Sequence, residues 1–434
     1  MREALAGSVH FERVLIKVAL DRDLSEAEEQ LAGSLLVACA AELRSKADVE
    51  AVMLTTSTGA PFLEAIRPAL LMLQEAEQAA KLLVDCAAAC GNRMELDGIV
   101  LRTIARYGYL PGFDHDSAEV VRTASLDKRI LEVFPSGSYA RTVAELGTRG
   151  HHPGVDVVSA AFLLELGAPP AVCSCFRFMG RIPVYARVHR GERRQRTNRF
   201  IGLVEDGRER AETEAVAGIV SELLKNGARY FHLFFYMVLD RMASELEYRV
   251  FTAMTCSGAD STDKTAASAT VRLLSSQGLT FSETFQGYLS TFGAYHMGAI
   301  PHSMEFLREA ARHEDGLDAF LAGHLGRKQV PGFGHRFHRR DPRAELLGLC
   351  EEAGFRSPYI RVARALDAKR VEVPWLHLNV DGMVAAILLT LGVDPAVANT
   401  PAAVVRTARM VKDFMTGCSQ RGVYRGLKRR SGLL

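Results

Sequence analysis

The segment "VPGFGHRFHRRDPRA" (residues 330–344) combines two glycines, two histidines and four arginines around a turn that begins with proline. Glycine allows a sharp turn and a close approach of the backbone to another group. We therefore expect the turn to present backbone amides, and the ring of His335, to an acyl or phosphate group. Residues expected to contact such a ligand are Pro331, Gly332, Phe333, Gly334 and Arg336. Asp341 and Pro342 are expected to begin a helix, in which Arg343 can hold a carboxylate through two parallel hydrogen bonds.

Two further residues complete the chemistry of this half of the chain. Asp381 lies within the apolar segment "WLHLNVDGMVAAILL", where poor solvation should raise its pKa towards the range of a general base. His296 lies among small residues in "GAYHMGA". Together with His335 and the arginines, these groups suit removal of a proton next to a carbonyl, with the enolate oxygen held by a neutral donor. The substrate would carry more than one carboxylate.

The spacing of apolar residues predicts helices almost everywhere, and alternating β patterns are few and short. Ser25, followed three residues later by Glu28, indicates a capping box at one helix start. The segment 214–251 is expected to form two helices that are broken near Asn226 and Gly227. The fold class predicted from these patterns is all-α.

An internal repeat divides the chain. The segment "GVDVVSAAFLLELGAPPAVCSCFRFMGR", which begins at residue 154, aligns without a gap with "NVDGMVAAILLTLGVDPAVANTPAAVVR", which begins at residue 379. The alignment pairs Asp156 with Asp381 and Arg181 with Arg406, and each arginine lies 25 residues after its aspartate. Upstream, "LPGFDH" pairs with "VPGFGH", and "TSTG" pairs with "SSQG". Duplication predicts two homologous halves, residues 1–200 and residues 201–434.

Composition narrows the possible partners. A net charge of +2, with 48% hydrophobic and 24% charged residues, is typical of a globular protein and not of a nucleic-acid-binding one. The longest apolar runs are too short to span a membrane, and the N-terminus shows no signal peptide, so we expect a cytoplasmic protein. The eight cysteines lack the doubled spacing of a zinc site, and no metal is expected.

The combination of "GFGHRFHRRDPRA", "NVDG" and "VVRT" resembles the citrate synthase family, and "LNVDG" and "RGVYRG" resemble the related module of ATP-citrate lyase and the citryl-CoA lyases. The resemblance implies a citrate-synthase-like helical fold and a coenzyme A thioester as substrate, without a tightly bound cofactor. It also implies catalytic roles for three residues. Asp381 would remove a proton from the acyl group, His296 would donate to the thioester oxygen, and His335 would polarise the keto carbonyl.

The same resemblance implies that Arg343 and Arg406 hold the carboxylates of an oxaloacetate-like substrate. The family has a histidine at the position of Ser261, so Ser261 leaves the identity of the keto acid open. In the N-terminal half, Glu77 stands near the place of His296, which favours a decayed copy kept for packing.

Members of the family are dimers in which an arginine near one C-terminus completes the partner's site. That position is Ser419 here, and the repeat maps it to Arg194. We therefore expect the two halves to form a pseudo-dimer within the chain, with Arg194 reaching the site built on Asp381. Further homo-dimerisation of the whole chain stays open.

The expected function is condensation of an acyl-CoA with oxaloacetate or a related 2-oxo acid. Two alternatives remain at this point. The first is citryl-CoA lyase, which uses the same groups in the reverse direction. The second is a non-catalytic CoA-binding protein, which the missing histidine at Ser261 suggests.

Overall fold

In the computed structural model the chain forms α-helices joined by turns, as the spacing of its apolar residues predicts. The structure describes residues 2–41, 46–71, 73, 75–90, 92–114, 117–195, 208–259, 265–293, 298–313, 316–325, 330–334 and 341–420. Within these ranges there is no strand, and isolated bridges join Phe113 to Pro153 and Phe333 to Leu378. The predicted all-α class is confirmed.

In the N-terminal half, the described helices are α1 (Arg2–Leu5), α2 (Phe11–Leu20), α3 (Glu26–Ala38), α4 (Lys46–Ser57), α5 (Phe62–Ala65), α6 (Arg67–Leu71), α7 (Glu75–Ala88), α8 (Arg93–Tyr107), α9 (Ser117–Thr123), α10 (Leu126–Val133), α11 (Ser138–Thr148), α12 (Val155–Glu165) and α13 (Cys175–Gln195). A 3-10 turn, Pro170–Val172, lies between α12 and α13.

In the C-terminal half, the described helices are α14 (Arg208–Lys225), α15 (Tyr230–Leu239), α16 (Glu245–Ala259), α17 (Ala266–Ser276), α18 (Phe281–Ser290), α19 (Ala299–Arg312), α20 (Leu317–Leu325), α21 (Leu346–Glu352), α22 (Pro358–Ala368), α23 (Val380–Leu391) and α24 (Thr400–Cys418). Short 3-10 turns form at Pro342–Glu345, Lys369–Val371 and Pro395–Val397.

Capping side chains set several helix starts. The predicted box at Ser25 is present, since its hydroxyl accepts from the amide of Glu28 and the Glu28 carboxylate accepts from the amide of Ser25. Ser244 and Glu247 make the same pair of bonds before α16. The predicted break at Gly227 is present, but the prediction of a single helix after it was wrong. The chain breaks again because Asp240 adopts a left-handed conformation (φ 55°), after which Ser244 caps a new helix.

The two halves repeat their local geometry around one glycine each. An antiparallel bridge joins Phe113 to Pro153, and another joins Phe333 to Leu378. Next to the first bridge, the amide of Gly154 donates to the carbonyl of Gly112 at 2.7 Å. Next to the second, the amide of Asn379 donates to the carbonyl of Gly332 at 3.1 Å. Helices α12 and α23 begin directly afterwards, and both are apolar around most of their surface and buried in the core.

Helices of each half pack against the other half in a reciprocal way. Helix α2 packs against α24, and its counterpart α15 packs against α13. In the same manner α1 contacts α16, while α14 contacts α3. An exchange of equivalent contacts in both directions is the pattern of an isologous interface. The two halves are also joined by a buried carboxylate. Glu29 binds Arg13 of its own half at 2.8 Å and Arg229 of the other half at 2.7 Å.

Replacing Glu29 by Gln is expected to lower the free energy of unfolding by about 2 kcal/mol, because two charge-assisted hydrogen bonds in a buried position lose their charge. Glu26→Gln on the same helix is the matched control, since Glu26 is exposed. Urea unfolding followed by circular dichroism measures both midpoints. Equal midpoints for the two variants would contradict a stabilising role for the contact with Arg229.

Candidate active site

The first turn of α23 carries Asp381 and is fixed by Asn379. The side-chain oxygen of Asn379 accepts from the amides of Asp381 (2.9 Å) and Gly382 (3.1 Å). Its side-chain nitrogen donates to the carbonyl of Gly334 at 2.7 Å. One amide side chain therefore joins the helix that carries Asp381 to the turn that leads into His335. The start of a helix also favours a carboxylate, because the helix dipole is positive there.

The turn 330–334 packs directly on this helix, and glycine is required on both sides of the contact. Gly332 has a left-handed backbone (φ 85°), and a Cβ atom there would lie 2.7 Å from the Cα of Gly382. A Cβ atom on Gly382 would lie 2.3 Å from the carbonyl oxygen of Gly332. No side chain fits between the two segments, which explains why both positions are glycine.

The expectation that this turn exposes its amides to a ligand is corrected at two positions. The amide of Phe333 donates to the carbonyl of Val330 at 3.0 Å, and that of Gly334 donates to the carbonyl of His377 at 2.7 Å. These bonds close the turn and form its bridge to the segment before α23. The Phe333 ring is 8% exposed and belongs to the core. Pro331 and Gly334 are the half-buried residues of the turn.

Asp341 connects the second end of the motif to the same helix. It is fully buried, and its two oxygens accept from the Arg343 side chain at 2.9 and 2.8 Å. It also accepts from the amide of Val380 at 3.0 Å. Burial alone would raise the pKa of Asp341, but the hydrogen bonds and charge of Arg343 outweigh burial and lower it. The sequence signal was the Asp-Pro pair, which predicted a helix start but not the bond to Val380.

Three of the predicted residues share one cavity, namely Asp381, Arg343 and Arg406. Its other walls come from α16, α19, α23 and α24, and are mostly apolar: Met254, Thr255, Ser257, Gly258, Ile300, Val380, Val384, Pro401, Ala402 and Val405. Among the described residues, no hydrogen bond or ion pair joins Arg406 to another side chain. Its guanidinium is thus available to a carboxylate that enters the cavity.

The carboxyl group of Asp381 is half-buried, and burial raises its pKa above the ordinary value. The positive charges of Arg343 and Arg406 act in the opposite direction, while Asp341 raises the pKa further. Burial is the largest effect. A carboxylate with a raised pKa is a stronger base, which suits the abstraction of a weakly acidic proton.

The remaining site residues predicted from the sequence are His296, His335, Ser261 and Arg336, and they lie outside the described residues. Arg194 lies on α13, but its side chain is outside the described part as well. The residues that flank two of these positions are described. The amide of Gly298 donates to the carbonyl of Gly293 at 3.1 Å. Ile300, two residues further on, lines the cavity.

Comparison with known proteins agrees with this geometry. Residues 214–416 match the family model described as citrate synthase, C-terminal domain. The match lies within the C-terminal half and spans a little under half of the chain, and this segment is similar to the citrate synthase family. Enzymes of that family are of condensation or lyase type and use CoA thioesters as substrates without a tightly bound cofactor. A search of curated proteins finds no match.

Two solved structures share the fold along the whole chain, and a third matches about half of it. Citrate synthase from Thermotoga maritima MSB8 is 15% identical, with 100% of this chain and 87% of that chain covered and a TM-score of 0.54. Citrate synthase from Thermoplasma acidophilum, solved as a ternary complex with carboxymethyl coenzyme A and oxaloacetate, is 12% identical over 100% of this chain and 90% of that chain, with a TM-score of 0.54. Citryl-CoA lyase from Hydrogenobacter thermophilus is 22% identical over 48% of this chain and 87% of that chain, with a TM-score of 0.44.

Two features are absent from the described residues. No helix there is long and apolar enough to cross a membrane. No group of three or more His, Cys, Asp or Glu side chains in this part of the chain is arranged to hold a metal ion.

Asp341→Ala is expected to destabilise the protein by about 3 kcal/mol, because it leaves Arg343 and the amide of Val380 without their buried partner. Asp394→Ala is the matched control, since Asp394 also precedes a proline and caps a 3-10 turn but accepts only from the amide of Ala396. Loss of that cap should cost about 1 kcal/mol. Urea denaturation measures both, and equal losses would contradict the role given to Asp341.

Proposed function

We propose that this chain is a citrate-synthase-type acyltransferase that condenses an acyl-CoA, acetyl-CoA or a similar thioester, with oxaloacetate or a related 2-oxo acid. The observation that carries the proposal is the single cavity that holds the Asp381 carboxyl group together with Arg343 and Arg406. A base and two cations inside apolar walls suit a substrate that must lose a proton while its carboxylates are held.

In the proposed reaction, Asp381 takes a proton from the carbon next to the thioester carbonyl, and the electron pair of that C–H bond forms the enolate. His296 donates a hydrogen bond to the enolate oxygen. The enolate carbon then bonds to the keto carbon of the second substrate, whose oxygen takes up a proton from His335. Water cleaves the thioester and releases free CoA.

Positioning falls to the charged residues around the cavity. Arg406 has no described protein partner and is the primary carboxylate ligand in this proposal. Arg343 is held by Asp341 through two of its nitrogens, which fixes its orientation and leaves Nη1 for the substrate. Ser261 occupies the place of a keto-acid ligand and opens the site to a partner other than oxaloacetate. Pro331, Gly334 and Arg336 would contact the coenzyme.

The same groups run in reverse in a citryl-CoA lyase, so both directions have to be assayed. With acetyl-CoA and oxaloacetate, a thiol reagent is expected to detect free CoA only when both substrates are present. If the protein releases oxaloacetate from citryl-CoA but releases no free CoA from acetyl-CoA and oxaloacetate, the lyase is favoured. Absence of turnover in both directions, together with CoA binding, would favour a non-catalytic CoA-binding protein and contradict the proposal.

Asp381→Asn is expected to lower kcat by about 10²–10⁴, because the base is removed while the shape of the side chain is kept. Binding of CoA, measured by calorimetry, should be unchanged. In the wild type, kcat/KM should fall as the pH is lowered through the pKa of Asp381, which burial raises above the usual value of 3.8. An active Asp381→Asn variant would exclude Asp381 as the base.

The proposal includes a pseudo-dimer formed by residues 1–200 and 201–434. Reciprocal packing of α2 on α24 and of α15 on α13 supports it. In this arrangement Arg194, on the helix that matches α24, completes the site built on Asp381 in place of the arginine that Ser419 lacks.

Arg194→Ala is therefore expected to raise KM for the carboxylate substrate about 10-fold or more, since a charged ligand of that substrate is lost. Arg193→Ala is the control, because Arg193 is adjacent and exposed. Unfolding midpoints should be unchanged in both variants. Wild-type kinetics in Arg194→Ala would remove this residue from the site.

A further inference from the structure

The N-terminal half contains the counterparts of Asp381 and Arg406, but both are buried. Asp156 lies one residue inside α12, as Asp381 lies one residue inside α23, and Arg181 follows Asp156 at the same interval. Asp156 is 4% exposed and Arg181 is 1% exposed. The backbone framework is thus repeated. The two charged side chains line a cavity in the C-terminal half, whereas in the N-terminal half they are buried.

Arg181 is bound by a carboxylate of the chain itself. Its Nε donates to Oδ2 of Asp48 at 2.8 Å, and its Nη1 donates to the carbonyl of Ala40 at 2.8 Å. The hydroxyl of Tyr185 donates to the same oxygen of Asp48 at 2.6 Å. Asp48 is fully buried, so water does not compete for these bonds. Asp48 holds Arg181 as a bound substrate carboxylate would.

The equivalent position in the C-terminal half is an alanine. Between α2 and α5, and again between α15 and α18, matching features recur at one constant interval: left-handed Asp21 and Asp240, capping Ser25 and Ser244, left-handed Gly59 and Gly278, and the helix starts Phe62 and Phe281. The same interval pairs Asp48 with Ala267. Helix α17 packs against α24, as α4 packs against α13. The alignment therefore places the methyl group of Ala267 at the position, relative to Arg406, that the Asp48 carboxylate takes relative to Arg181.

A second difference between the halves is a large side chain, Arg177, where the C-terminal half has a small one. Arg177 aligns with Ala402, which lines the cavity of the C-terminal half. Arg177 is 2% exposed, donates to the carbonyl of Cys39 at 3.1 Å, and lies 3.6 Å from Oδ1 of Asp156. Burial, with Glu75 nearby, raises the pKa of Asp156 to about 8, as expected for a carboxyl group enclosed by protein.

We infer that the N-terminal half holds a dicarboxylate-binding site that the chain fills with its own Asp48 and Arg177, so that each chain binds one dicarboxylate and not two. The inference rests on the proposed function only for the ligand at Arg406. The two substitutions, relative to Ala267 and Ala402, act together. One supplies the carboxylate and the other takes up the volume.

The first test transfers the carboxylate. Ala267→Asp places a carboxylate against Arg406 and is expected to weaken the binding of malonate, used as a dicarboxylate probe, by about 30-fold or more. Ala267→Asn is the matched control of equal size without the charge, and it should bind malonate much more tightly than Ala267→Asp. Calorimetry measures both affinities, and circular dichroism checks that both variants fold. Wild-type affinity in a folded Ala267→Asp variant overturns the inference.

The second test empties the N-terminal site. The double variant Asp48→Ala/Arg177→Ala is expected to bind one more malonate per chain than the wild type in calorimetric titration. A folded double variant with no additional site, or a wild type that already binds two, overturns the inference. If the wild type binds none and the double variant binds one, the proposed function and the count of one dicarboxylate per wild-type chain both fail, while the filling of the N-terminal site by Asp48 and Arg177 stands. If the double variant does not fold, the Ala267→Asp comparison decides.

Discussion

The close contact between Gly332 and Gly382 is the constraint on which the site depends. It sets the distance between the turn at residue 330 and the first turn of α23, because neither position has room for a Cβ atom. Two polar residues then hold the contact from both sides. Asn379 binds the carbonyl of Gly334, and Asp341 binds the amide of Val380. Both ends of the segment that contains His335 are thereby anchored beside Asp381.

The N-terminal half shows that this backbone framework does not by itself make a binding site. Gly112 makes the equivalent approach to α12, where a Cβ atom would lie 2.8 Å from Val157. The backbone framework is the same in both halves, but the charges around Arg181 differ from those around Arg406. Arg181 is neutralised by Asp48 inside the protein, whereas Arg406 has no such partner among the described residues. In the proposed function, the substrate carboxylate supplies at Arg406 the charge that Asp48 supplies at Arg181.

Local sequence signals predicted what local contacts determine. The helical class, the box at Ser25 and the break at Gly227 follow from neighbouring residues, and each is present. The shared cavity of Asp381, Arg343 and Arg406 agrees with what the resemblance to the citrate synthase family implied, and it does not follow from contacts between neighbouring residues. Contacts between distant segments could not be predicted in the same way. The bond of Asp341 to Val380 spans 39 residues, and that of Asp48 to Arg181 spans 133.

The same limit explains the error at the turn 330–334. Its sequence indicates free amides, because glycine-rich turns commonly present them, and nothing within the turn shows that His377 supplies an acceptor. That acceptor arrives only when the segment before α23 folds alongside. Packing between the two halves also affects the cavity. Helices α1 and α2 lie against α16 and α24, which form two walls of the cavity, so the N-terminal half shapes the site even though its own counterpart is filled. Removing the N-terminal half would expose the apolar faces of the helices that hold Arg406 and Met254.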